Sequence, residues 1–236
     1  MLPYRDSIRS TRPPIVTWTI IGICVFVFVM DWLGRHAVVA RWAFVARDLV
    51  SPHAWVERGP LVVVGSILAS QFLHGGIVHL GSNMLFLYVF GDNVEDRMGH
   101  ARYAGFYLLC GSLAALAEAV LTGFPARPMV GASGAIAGVL GAYFVLFKGA
   151  WVRSVVLLFI FPIFVDIPAV VFIGLWIVFQ FVYSLGFLVT TTGGRPEVAY
   201  FAHIGGFLAG MWLQKGFVGP QRRPPPRYRV LSLEVE

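Results

Sequence analysis

Charge is scarce in this sequence. Of 236 residues, 18 are Lys or Arg and 12 are Asp or Glu, 13% in all, where a soluble domain carries about 25%. That shortage excludes a separate soluble domain of useful size. Cysteine is nearly absent: Cys24 and Cys110 both fall in apolar stretches. They suit small buried hydrophobes, and they exclude a disulfide framework or a cysteine-based metal site. No metal-ligand spacing occurs, and neither a metal nor a cofactor is expected. What the chain has in plenty is apolar residues, 58% of the total, with a mean hydropathy of +0.76. A bilayer core takes about 20 apolar residues per helix, and runs of this kind recur. The chain reads as an integral membrane protein whose partner is the lipid bilayer.

Six apolar segments are predicted as helices, at residues 15–33, 77–94, 101–121, 133–148, 167–190 and 198–217. The expected fold class is all-α, a polytopic bundle of six transmembrane helices over residues 15–217. Tails of residues 1–14 and 218–236 flank it. Two shorter apolar runs, 61–73 and 155–165, are too short to span. The second is interrupted by Pro162, and both read as interfacial or re-entrant stretches. The first segment is followed by Asp31-Trp32-Leu33-Gly34, with no small-residue cleavage site, so it is expected to stay as an anchor.

With six helices both termini share one side, which then receives 12 of the Lys and Arg residues against 6 on the other. The positive-inside rule puts that side in the cytoplasm. The net charge of +6 is explained by these loops and calls for no nucleic acid. The Arg- and Pro-rich stretch 221–229 suits a disordered tail near anionic headgroups. In the first external loop, residues 34–70, Trp42, Phe44 and Trp55 stand beside Arg35, Arg41, Arg47 and Arg58. That mixture suits a segment lying in the membrane interface.

Polar residues inside the apolar segments need a reason, because at membrane depth they are costly and usually face a functional interior. The second segment contains His79 and Asn83, one helical turn apart on a shared face, and His74 precedes them. The fourth opens with Gly131-Ala132-Ser133-Gly134, and the sixth carries His203 near its start. Each alone has a bland reading: serine commonly packs membrane helices, and a lone histidine is commonly a satisfied interior residue. Together they supply the parts of an acyl-transfer site. A serine hydroxyl needs a neighbouring base to become a nucleophile, and His203 fits that role. A tetrahedral intermediate needs donors for its oxyanion. Asn83, His79 and the Ser133 backbone amide at a helix N-terminus can provide them. Gly134, Gly138 and Gly141 form one small-residue stripe; Ala202, Gly206 and Gly210 form another. Two such stripes let backbones approach closely, which brings Ser133 and His203 together at the external end of their helices.

The stretches 74–99, 129–143 and 202–210, in this order among six helices, resemble the rhomboid family of intramembrane serine proteases, in its bacterial-type six-helix form. The resemblance covers nearly all of residues 15–217. It implies Ser133 as nucleophile, His203 as base, and His79, Asn83 and Ser133 at the oxyanion hole. It places His74, Gly131, Gly134, Ala137 and a side chain of the fifth helix such as Phe181 around the site. It implies substrates that are single-span transmembrane proteins, cut in or near a membrane, expected to be a bacterial inner membrane. By the same analogy the fifth helix and the loop 191–197 form a mobile gate. The family uses a dyad. Asp92 and Asp166 fall on the cytoplasmic side, Glu197 is on the external side, and Glu118 is expected to snorkel at the external interface. Where some relatives carry an aromatic ring that stacks on the histidine, this chain has Ala137, so something else must orient His203. Two other classes remain: a silent relative that binds or escorts membrane proteins, and a channel with a polar path, for which no inverted repeat is visible.

Overall fold

The computed structural model describes residues 2–158, 161–189 and 198–219. Its six longer helices follow the predicted order: α1 (Ile15–Leu33), α5 (Ile77–Met98), α6 (His100–Leu121), α7 (Ser133–Leu146), α8 (Ala169–Val189) and α9 (Tyr200–Phe217). Three short helices, α2 (Ala37–Trp42), α3 (Pro52–Glu57) and α4 (Pro60–Ala69), lie in the long connection between α1 and α5. By length and composition α1, α6 and α8 can each cross a membrane. A fourth span is possible if the α4 region and α5, bent by 75° at their junction, count as one. Helix α7 has 14 residues, about 21 Å at 1.5 Å per residue. Helix α9 is long enough at 18 residues, but its glycines, His203, Gln214 and Lys215 dilute its apolar character.

Helix α7 is the axis of the molecule. Every residue from Gly134 to Tyr143 is buried, and α5, α6 and α9 pack around it. Helices α1 and α8 lie outside and turn large apolar side chains outward, among them Trp18, Phe26, Val178 and Phe179. An apolar surface of that extent is stable against lipid.

Helix starts leave backbone N–H groups without partners, and two of the starts are capped from a neighbouring helix. The Glu95 carboxylate at the end of α5 accepts from the Val16 and Thr17 backbone N–H at 2.9 and 2.8 Å, from the Thr17 hydroxyl at 2.7 Å, and bonds His100 at 2.6 Å. It takes the place of the cap that Pro14 lacks. Between α5 and α6 the chain turns on Gly99, whose φ of +83° favours glycine.

The fold is not all-α. Strand β1 (Leu2–Asp6) pairs antiparallel with β4 (Trp151–Leu158), which pairs with β5 (Phe161–Pro168). Within the run 155–165, expected to be interfacial or re-entrant, residues 155–158 and 161–165 therefore belong to two paired antiparallel strands, and residues 2–6 are a strand. The reason is local. Val152, Val155, Val156, Ile163, Val165 and Ile167 are β-branched and favour strands. Pro162 is tolerated because β5 is an edge strand. Arg153 and Asp166 pair across the two strands at 2.7 and 2.9 Å, which holds the Asp166 carboxyl below its ordinary pKa. The Asp6 side chain anchors the sheet to the bundle, accepting from Asn93 Nδ2 at 2.8 Å and from the Tyr143 hydroxyl of α7. Cys24 and Cys110 are buried free thiols. The end of the fifth segment at Thr190, the gate loop 191–197, Glu197 and the tail 221–229 lie outside the described residues.

Candidate active site

Helices α7 and α9 meet through their glycine stripes. A Cβ placed on Gly206 would run into the Gly134 carbonyl, and one on Gly210 into the Gly138 carbonyl. One on Gly141 would strike the Phe207 carbonyl. Gly134 also faces Ala202 across the contact: a Cβ on Gly134 would lie 3.9 Å from the Ala202 oxygen and 4.0 Å from its Cβ. Ser133 and His203 are the chain neighbours of this Gly134–Ala202 contact, so the first turns of α7 and α9 carry them to one end of the interface.

Gly131, two residues before the serine, has φ +134°. A Cβ there would lie 2.9 Å from the His79 ring and 3.6 Å from Ser133 Oγ. Only glycine lets the loop thread between the two. The loop is held from outside as well: the Gly131 N–H donates to the Ser70 carbonyl at 2.9 Å. Just before it, β3 (Pro128–Met129) pairs with β2 (Phe44–Val45) of the long loop between α1 and α5. That loop has a defined job. Together with the Arg58 side chain, which bonds Asp48 and the Arg41 and Ala43 carbonyls, it braces the segment leading into Ser133.

Of the predicted oxyanion donors, Asn83 is 6% exposed and its Nδ2 has no hydrogen-bond partner among the described residues. His79 packs edge-to-face on His74, ring centroids 5.3 Å apart. His74 is buried with both ring nitrogens likewise unpartnered. His79 is also within electrostatic range of His203. His74, His79, Asn83, Gly131 and Ser133 thus belong to elements that converge at one end of the bundle. No hydrogen bond joins Ser133 to His203 among the described residues. Apo catalytic pairs are often long and tighten with substrate.

What holds His203 is on α8. Its Nδ1 lies 2.8 Å from Gln180 Oε1, and its ring lies against Trp176, centroids 5.6 Å apart and planes at 37°. Phe181 does not serve as expected: it is 45% exposed. One residue is about 100° of helix rotation, so a residue next to Gln180 points away from α9. Trp176, Gln180 and Ser184 follow a four-residue step on the inward face. Ala137 is fully buried in the interior of α7.

Glu118 does not snorkel. It is 5% exposed, and its Oε2 accepts from the Ala202 backbone N–H at 3.0 Å while Oε1 lies 3.5 Å from Arg127. It caps the start of α9, where Ala199 gives no side-chain cap, and so pins the turn that carries His203. Sequence reading assigned neither Gln180 nor Trp176 to His203 and gave Glu118 a different role. The available signal was a glutamine inside an otherwise apolar segment, four residues from a tryptophan. Among the described residues no group of three His, Cys, Asp or Glu is placed to hold a metal.

Comparison with known proteins identifies the family. The Rhomboid domain family model matches residues 63–219. Rhomboid protein 1, mitochondrial, of Saccharomyces cerevisiae is 29% identical over 226 residues, 91% of this chain and 57% of that protein. RHOMBOID-like protein 5 of Arabidopsis thaliana is 30% identical over 167 residues, 67% of this chain and 48% of the relative. Inactive rhomboid protein 1 of Homo sapiens is 31% identical over 149 residues, 63% of this chain and 15% of that protein. The chain spans about half the length of the first two relatives. These relatives are eukaryotic, one of them mitochondrial by name, and give no support to a bacterial inner membrane. With its family domain matched over most of its length and helices long and apolar enough to cross a membrane, the chain is a membrane protein of the rhomboid family.

Proposed function

We propose that the chain is an intramembrane serine endopeptidase that cleaves single-span transmembrane proteins, with α1 and α5–α9 as six membrane-embedded helices and both termini on the cytoplasmic side. The observation that carries this reading is the approach of α7 and α9 through Gly134, Ala202 and Gly206, which sets Ser133 and His203 at the same end of one interface. In the proposed reaction His203 Nε2 takes the Ser133 proton as Oγ attacks the scissile carbonyl. The imidazolium then gives that proton to the leaving amine, and water hydrolyses the acyl-enzyme by the same route. The Asn83 side-chain amide, the His79 ring and the Ser133 backbone N–H receive the oxyanion. A buried donor without a partner, such as Asn83 Nδ2, is worth most when charge develops against it in a water-poor site.

The likeness to an inactive rhomboid protein supplies the competing reading, a silent relative that binds or escorts membrane proteins. Purified protein decides between them. The wild type is expected to take up a fluorophosphonate at Ser133 and to cut a single-span reporter in liposomes. Ser133→Ala is expected to do neither while keeping its fold. A wild type that neither labels nor cleaves is the silent relative.

A further inference from the structure

His203 needs one defined tautomer to act as a base. The proton must sit on Nδ1, leaving the Nε2 lone pair for the serine. We propose that Gln180, on α8, is the positioning residue that sets this tautomer and the angle of the ring, with Trp176 as the surface against which the ring lies. The inference rests on the protease reading and names the residue that holds its base.

The geometry fixes the direction of the bond. Gln180 Nε2 donates to the Trp176 carbonyl at 3.2 Å, so the amide is turned with Oε1 towards the histidine. Oε1 can only accept, and at 2.8 Å from Nδ1 it requires the ring proton there. Trp176 and Gln180, one turn apart on α8, therefore flank the ring, Trp176 in a tilted ring contact and Gln180 at Nδ1. Among the described residues no carboxylate bonds this ring. Glu118, which reaches the same helix, is occupied by the Ala202 N–H and by Arg127. An amide suits the position physically. A carboxylate held unpaired at this depth is costly, and once the ring is protonated it holds the proton as an ion pair. A neutral acceptor at Nδ1 orients the ring without adding a charge at this depth. Because Gln180 is on the peripheral helix α8 and not beside the serine on α7, the base is oriented only while α8 is packed on α9.

The test reads the ring directly as well as the reaction. In full-length protein in detergent, the ¹⁵N spectrum of labelled histidine is expected to show His203 as the Nδ1–H tautomer, and in Gln180→Leu to lose that preference. Fluorophosphonate labelling of Ser133 and kcat on a single-span reporter are expected to fall about tenfold or more in Gln180→Leu, with KM within about twofold, as for a base in the wrong tautomer. Gln180→Glu keeps an acceptor in place. It is expected to retain labelling while its acid limb moves to higher pH, because a carboxylate favours the imidazolium. An Nε2–H tautomer in the wild type, wild-type labelling in Gln180→Leu, or an unmoved acid limb in Gln180→Glu each overturns the proposal. If Gln180→Leu does not fold, the wild-type spectrum and Gln180→Glu still decide. The tautomer needs no substrate, so a protein that cleaves nothing sinks the protease reading without touching the ring assignment.

Discussion

A methyl group is enough to separate α7 from α9. At Gly206 and Gly210 the neighbouring atom is a backbone carbonyl of α7, which cannot rotate aside as a side chain would. Gly210→Ala is therefore expected to force the helices apart and to destabilise the protein by roughly 1–3 kcal/mol, the usual cost of overpacking. The thermal midpoint in detergent measures this. Activity is expected to fall further than stability, since Ser133 and His203 are on opposite sides of the contact. By contrast, Gly22, Gly174 and Gly216 have open space at the Cβ position; alanine at Gly216 is the control that leaves both readouts near wild type. The stripes themselves were legible in the sequence, because a four-residue step of small side chains has one geometric meaning in a membrane helix. Which side chain holds His203 was not legible. Gln180 and Phe181 are adjacent in sequence, and only the rotational phase of α8 against α9 decides which of them faces the ring.

Helix starts are where elements of this bundle are tied to one another. Glu95 caps α1, and Glu118 caps α9. In each case the carboxylate comes from the far end of a different helix, so capping and tertiary packing are one interaction. Glu118→Ala is expected to leave the Ala202 N–H buried without a partner, at a cost of about 1–3 kcal/mol, and to let the first turn of α9 fray. Hydrogen exchange at residues 200–204 is expected to speed up in Glu118→Ala and to stay close to wild type in Glu118→Gln, which still offers a carbonyl. Equal exchange in both variants and the wild type would remove the cap from the account. Both glutamates were visible in the sequence as acids in or beside apolar segments. Their partners, 84 residues away for Glu118 and 78 for Glu95, were not.

Across the whole molecule, the N-terminal strand is tied to the helix of the proposed nucleophile. Asp6 stands between Asn93 of α5 and Tyr143 of α7, near Asp92 and Arg5. Burial is the largest influence on its carboxyl and the Tyr143 hydroxyl opposes it; the net effect is a pKa pushed from 3.8 up to about 7. The folded protein therefore binds a proton that the unfolded chain releases between those values. The stability this group contributes is full below about pH 4 and is lost as pH rises through about 7. Limited proteolysis near residues 2–8 is expected to accelerate as pH rises from about 4 to 7 and to level off above that, by on the order of the shift itself. Asp6→Asn, neutral at every pH, is expected to flatten that dependence. A wild-type strand equally protected at both ends of the range would show that Asp6 is not its latch.

The sequence by itself determined the membrane class and the order and approximate limits of the six helices, and it singled out Ser133, His203, His79 and Asn83 as a candidate set. These follow from apolar run length, from the cost of polar groups at membrane depth, and from motifs of a few adjacent residues, all of which are local. Tertiary structure alone decided what long-range contact controls. Residues 2–6 became a strand because β4 offered an edge, and 155–158 and 161–165 became paired strands instead of a re-entrant turn. Glu118 became a cap because α9 begins beside it. Gln180 and Trp176 hold His203 in place of an aromatic ring at Ala137, because α8 packs on α9 with that face inward. A sequence records which side chains a helix carries. The angle at which two helices meet decides which of those side chains touch.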